Sequence, residues 1–145
     1  MKIISGGQTG ADRGALEAAK ECGHETGGYA PKQYATENGS DYILASYNLI
    51  DSGMDYVGRT ELNVKNSDVT IWFGNKNSAG YAATRRACKK YCKFLVDVTN
   101  CNHHEIAMAL SGLKIVNVAG NRESHNKGIQ EKVKTMMMAV LNEIY

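Results

Sequence analysis

Ser5-Gly6-Gly7-Gln8-Thr9-Gly10-Ala11-Asp12-Arg13 joins a short apolar run to a helical one. Before it, Lys2–Ser5 reads as a buried β-strand. After it, residues 11–22 carry Ala15, Leu16, Ala19 and Cys22 on one helical face. A strand that ends in glycines and opens a helix is the start of a parallel α/β unit. The same sequence of features recurs twice. Val69–Phe73 runs into Gly74-Asn75-Lys76-Asn77-Ser78-Ala79-Gly80, and Lys114–Val118 runs into Ala119-Gly120-Asn121-Arg122-Glu123-Ser124.

Working outward, Phe94–Val98 is a fourth strand and Gly27–Ala30 a weaker fifth. The four stronger runs are rich in β-branched residues and do not alternate with polar ones, the pattern of strands covered on both faces. Helical spacing fills residues 54–65, 80–92, 103–111 and, most regularly, 127–144, with Ile129, Val133, Met136, Met137, Val140, Leu141 and Ile144 in register. Thr9–Asp12 and Asn102–Glu105 have the form of capping boxes. The expected fold is α/β: one Rossmann-like parallel sheet of about five strands, flanked by helices, in a single domain over residues 1–145. Pro31–Gly53 is polar with little periodicity and reads as a long functional loop.

Composition narrows the function. The 145 residues carry 17 Lys+Arg against 15 Asp+Glu, a net charge of +2. No basic block exceeds two residues, which argues against nucleic acid as a partner. No apolar run approaches the length of a membrane span. Four cysteines without a secretion signal read as reduced thiols, placing the protein in the cytoplasm. Cys88 and Cys92 at i, i+4, followed by Cys101, His103 and His104, match no familiar zinc spacing and read as core thiols, so no metal site is expected.

The three glycine turns are expected along one carboxyl edge, where open α/β sheets bind ligands. Glycine admits close backbone approach, and a helix N-terminus behind it favours an anion. The spacing is neither that of a P-loop nor G-x-G-x-x-G. What marks the edge is the gathering of Gly6, Gly7, Gln8, Thr9 and Gly10 with Arg13, of Asn77, Ser78 and Gly80, and of Gly120, Arg122, Glu123 and Ser124. Arg59 and Asn63, one helical turn apart, can face the same ligand. Asp97 ends a strand, where it can accept from a ribose hydroxyl or, equally, cap the loop that follows. Asp12 divides between helix capping and the site, and it would pair with Arg13 to tolerate an anion.

These stretches, together with Gly27-Gly28-Tyr29-Ala30-Pro31-Lys32, Tyr56–Val64 and Ser67-Asp68, resemble the molybdenum carrier family, a circularly permuted YpsA-type branch of the SLOG superfamily. Its members are Rossmann-like relatives of the LOG nucleotide hydrolases. The resemblance runs nearly the whole chain in order. It implies a nucleotide-derived or pterin-like ligand, sometimes the molybdenum cofactor, with Lys32 and Thr84 added to the site, and often an oligomer, here a dimer or tetramer. The second turn departs from the family's Gly-Gly-Thr pattern: this chain has Ala79-Gly80-Tyr81. Tyr81 is expected to stack on a ligand ring. Arg86 falls where LOG-type hydrolases place a catalytic carboxylate, with Glu61 or Glu123 as substitutes. The implied activity is therefore binding of a small anionic metabolite, whether carried, sensed or sequestered as by a phage-type scavenger of a nucleotide signal. Phosphoribohydrolase cleavage of nucleoside monophosphates is the alternative, and no cofactor is required. Met138 and Tyr145, off the main stripe of the last helix, are expected to bury a subunit interface.

Overall fold

The computed structural model describes residues 1–144. Its centre is a six-stranded, wholly parallel sheet made of β1 (Lys2–Ile4), β2 (Glu25–Ala30), β5 (Leu49–Asp51), β6 (Val69–Phe73), β7 (Phe94–Asp97) and β8 (Ile115–Gly120). The strand order is β5-β2-β1-β8-β6-β7. Lys2 pairs with Glu25 on one side and with Ile115 on the other, so the first strand lies in the middle of the sheet.

Helices α1 (Ala11–Glu21), α4 (His103–Leu110) and α5 (Ile129–Glu143) cover one face. Their Ala15, Ala18, Ile106, Leu110, Val133 and Val140 pack on Ile3, Ile71, Val116 and Val118 of the sheet. Fully burying such side chains contributes roughly 1.5–3 kcal/mol each. Gly14 lets α1 and α5 meet closely, since a Cβ there would lie 2.3 Å from the Gln130 carbonyl oxygen. On the opposite face, α2 (Tyr56–Lys65) and α3 (Ala79–Lys90) pack through Val64, Ala87 and Cys88. The sheet is thus helix-covered on both sides, as an α/β reading requires.

Three expectations are corrected. The sheet has a sixth strand, β5, inside the stretch read as a loop. That stretch also forms two 3-10 turns, Lys32–Tyr34 and Tyr42–Tyr47, and a two-residue-per-strand hairpin of β3 (Ala35–Thr36) and β4 (Gly39–Ser40). Leu44 and Leu49 from it bury Leu16 and Ala30. Next, β7 is an edge strand and is not covered on both faces: Phe94 is 80% exposed. Finally, Met138 is half-buried against the main core, so this residue of the second apolar face assigned to the last helix packs on the protein's own interior. Tyr145, the other residue in that reading, lies outside the described residues. No helix among them is long and apolar enough to cross a membrane.

Candidate functional site

In the order β1-β8-β6 the three glycine turns are neighbours at the carboxyl edge. They meet the N-terminal ends of α2 and α3 around a cavity of about 290 Å³. Gln8, Arg59, Ser78, Gly80, Thr84, Gly120 and Arg122, all expected at the site, line it. So do Asp12, Tyr56, Trp72 and Asn121.

Local chemistry sets each side chain. Gln8 accepts, through Oε1, the N–H groups of Thr9 (3.0 Å) and Glu37 (2.9 Å). Two backbone donors on one oxygen fix the amide's orientation, so Nε2 is left to donate. It has no partner, and neither do the buried Nε of Arg59 and Nε1 of Trp72. All three atoms belong to residues lining this cavity, and all three are donors. A buried polar group without a partner costs about 1–3 kcal/mol, so a ligand that brings acceptors recovers that cost. The guanidinium carbons of Arg59 and Arg122 stand 5.6 and 5.7 Å from the Tyr56 ring centroid. Ser78 caps α3 by accepting from the Tyr81 N–H (3.1 Å), leaving that helix start open to the cavity. Asn121 ties the second and third turns together by accepting from the Asn75 N–H (2.7 Å).

Asp12 and Arg59 form a buried pair, with Nη1 3.7 Å from Oδ2. Burial pushes the Asp12 carboxyl above its ordinary value, against the opposing pull of Arg59 and the Gln8 and Gly6 N–H groups. Burial lowers the Arg59 pKa, and Asp12 opposes that shift. With Arg59 offset by Asp12, Arg122 supplies the cavity's second positive charge, which Asp12 and Glu37 feel as well.

Several expected assignments change. Arg59, not Arg13, neutralises Asp12. Arg13 pairs with Asp41 (2.5 Å) and sits over the Tyr47 ring. It lines a second cavity with Gly7 and Thr9. Thr9 caps no helix: Gly10 holds that position, and the Thr9 hydroxyl donates to Glu37 and accepts from the Glu123 N–H (3.2 Å). The glycines leave room mostly for the protein itself. A Cβ on Gly6 would meet Arg59 Nη1 at 2.0 Å, and one on Gly10 would meet the Asn121 carbonyl oxygen at 2.4 Å. On Gly120 it would meet the Phe73 carbonyl oxygen at 2.3 Å, whereas at Gly80 the nearest atom is a Trp72 ring carbon at 3.9 Å.

Asn63 shares a helix face with Arg59, but its amide clamps the backbone of β2. Oδ1 accepts from the Tyr29 N–H (2.8 Å) and Nδ2 donates to the Tyr29 carbonyl (3.0 Å). Asn63→Ala should lower stability by about 1–3 kcal/mol, the cost of leaving those groups unsatisfied. Urea denaturation showing a wild-type midpoint would refute the clamp. Tyr81 lies edge-on to Trp72, with ring centroids 5.0 Å apart, and does not line the cavity. The aromatic rings that do are those of Tyr56 and Trp72.

Asp97 is held by Thr99 and by Lys76 (3.2 Å) away from the cavity. Burial alone would raise its carboxyl, but the Thr99 and Lys76 contacts prevail and lower it. Glu123 accepts from the Gly128 (2.6 Å) and Gln130 (3.0 Å) N–H groups at the start of α5. Glu61 pairs with Lys90 (2.6 Å), and Arg86 is exposed. Lys32 and Asn77 are exposed and lie outside the cavity lining. Ser124 donates to Glu37 through both its hydroxyl and its N–H.

Sequence reasoning left Tyr56, Trp72 and Asn121 off the site. Trp72 alternates with Ile71 and Phe73, so it points away from the main core. That alternation, at the carboxyl end of a strand, was the available signal.

The family described as the Circularly permutated YpsA SLOG family matches residues 3–141. A crystal structure of a "Putative molybdenum carrier protein" from Syntrophus aciditrophicus SB superposes with a TM-score of 0.81 at 30% sequence identity, over 97% of this chain and 92% of that one. Among curated proteins, none matches the chain.

Proposed function

Because this chain belongs to the circularly permutated YpsA SLOG family, we propose that it binds, without chemical conversion, an anionic ring-bearing metabolite: a nucleotide derivative or a pterin such as the molybdenum cofactor. One observation carries the reading. Three buried donors, on Gln8, Arg59 and Trp72, have no partner and line a single cavity beside Arg122. A ligand rich in acceptors and carrying negative charge satisfies all of them. The flat ring stacks at Tyr56, and the α3 start and Arg122 take the anionic group. Nucleotides and pterin phosphates both present ring-nitrogen acceptors with a phosphate, so the donor set suits either. The cofactor, in this reading, is cargo.

Binding is favoured over hydrolysis because the lining holds one carboxylate, Asp12, and that group is buried against Arg59. A carboxylate base must reach the reacting water, and Glu61 and Glu123 are committed elsewhere. Free base released from nucleoside monophosphates by the purified protein would overturn this.

Trp72 is the single tryptophan, so its emission reports the cavity directly. Titration with AMP, GMP or a pterin phosphate should quench it, and native mass spectrometry should find such a mass co-purifying. Silence in both measurements would sink the reading. Arg122→Ala should weaken the binding of whichever ligand quenches by about 1.5–3 kcal/mol, the range for a hydrogen bond to a charged group. It should also flatten the salt dependence of binding. A homo-oligomer, dimer or tetramer, is part of the same proposal. The exposed apolar side chains of Phe94 and Val96 on the edge strand support it. Light scattering showing a strict monomer at high micromolar concentration would remove it.

A further inference from the structure

The anion seat expected at the first and third turns already holds an anion, supplied by the protein. One Glu37 carboxylate oxygen accepts the Thr9 hydroxyl and the Ser124 N–H (3.2 Å), and the other accepts the Ser124 hydroxyl. Arg122 adds positive charge nearby. Three hydrogen-bond donors around two oxygens form a built receptor for an oxyanion, and the charge of Arg122 favours it.

The element that delivers Glu37 is weak. It is the tip of the β3–β4 hairpin, which has two residue pairs, Ala35 with Ser40 and Thr36 with Gly39. Asn38, Gly39 and Ser40 are exposed, and the hairpin contributes no residue to the buried core. A two-stranded ribbon of this kind has little stability of its own and opens at low cost. Glu37 also stands where two cavities approach. Its N–H donates to Gln8 and its carboxylate lies near Arg122, both of which line the main cavity. Its other partner, Thr9, and its chain neighbours Thr36 and Asn38 line the second cavity, of about 240 Å³.

We propose that Glu37 occupies in cis an oxyanion subsite that belongs to the ligand, and that a second phosphate or carboxylate group on the ligand displaces it and lifts the hairpin. This deepens the binding reading and rests on it for the identity of the ligand. The ligand class becomes one with two separated anionic groups, the first at Arg122 and the α3 start and the second at Thr9 and Ser124. When Glu37 leaves, Gln8 keeps the Thr9 N–H on its oxygen, so its Nε2 stays available.

The test uses inorganic phosphate and calorimetry, so it needs no organic ligand. A tethered carboxylate competes at an effective concentration in the millimolar range. Removing it in Glu37→Ala should tighten phosphate binding about tenfold. Glu37→Gln, which keeps the shape and loses the charge, should show a smaller gain in the same direction and stands in if the alanine variant does not fold. Adding Ser124→Ala to Glu37→Ala should cancel most of the gain. Equal phosphate affinity in wild type and in a folded Glu37 variant would overturn the proposal. A gain that survives Ser124→Ala would overturn it as well, because the anion would then sit elsewhere. Trp72 quenching by organic ligands is read separately: its absence in every protein defeats the proposed function and leaves the phosphate result to decide the subsite.

Discussion

Arg59→Met should destabilise the protein by about 3–5 kcal/mol at neutral pH, the cost of leaving one member of a buried ion pair uncompensated. The methionine fills similar volume, so the effect isolates the charge. Asp12 would remain buried with the Gln8 and Gly6 N–H groups and the weaker pull of Arg122 to hold it. Its carboxyl already sits above 3.8 because of burial, and loss of the cation moves it further up. The sign follows from proton linkage. A native carboxyl with a raised pKa keeps a proton that the unfolded chain has released. Its stability contribution is present below the unfolded value and is lost as pH rises through the folded one. The deficit of Arg59→Met should therefore shrink on going from about pH 7 to about pH 4. Asp12→Asn in the same background, which removes the charge, should recover much of the loss. Denaturant midpoints for the wild type, the single variant and the pair decide this. A single variant as stable as wild type at neutral pH would mean that the pair carries no energy.

Gly7→Val should cost about 2–6 kcal/mol and act on the fold. Gly7 has φ +77, where a β-branched residue is strained by about 1–3 kcal/mol. Its Cβ would also lie 2.7 Å from Leu44 Cδ1 and 2.8 Å from Leu49 Cδ2, both fully packed, and overpacking costs a further 1–3 kcal/mol. Gly6→Ala next door should act through the Asp12–Arg59 pair. Its φ is ordinary, but its methyl group evicts the Arg59 guanidinium. Ligand affinity should fall more than tenfold in the folded protein, and the denaturant midpoint should fall as well, because Asp12 loses its cation. A Gly7→Val protein with a wild-type melting temperature would contradict the packing. A Gly6→Ala protein with unaltered affinity would remove Arg59 from the site.

The contrast between these two glycines explains how far the sequence could be read. The strands came through where burial was continuous: Val69–Phe73 is buried at every position. Leu49–Asp51 escaped because only Leu49 of its three residues is buried, between Asn48 and Ser52. The three turns were recognisable and adjacent, yet glycine makes room for a ligand and for a neighbouring part of the protein with the same letter. Gly6 serves Arg59, Gly10 the third turn, and Gly120 serves Ala11 and β6. Cations had the same ambiguity. Arg13 and Arg59 are alike in sequence, and only the positions of Asp41 and Asp12 in space separate an outer pair from a buried one. Asn63 was placed on the right helix face, but its engagement with Tyr29 depends on the positive φ of Gly28, which no spacing rule reveals.

The central position of β1 has a kinetic consequence. Its two neighbours are β2, some twenty residues on, and β8, which begins at Ile115. Closing a parallel pair across most of the chain incurs the full loop entropy before any contact rewards it, so folding should be slow for this size. Ile3 and Ile4 are synthesised well before their partners Val116 and Asn117 and must wait for them, while Val69–Phe73 waits with one edge open. Nascent chains of this fold carry open strand edges until β8 is made and are natural clients for chaperones. The amides of β1 and β8, once paired, should exchange with solvent only when the whole domain opens.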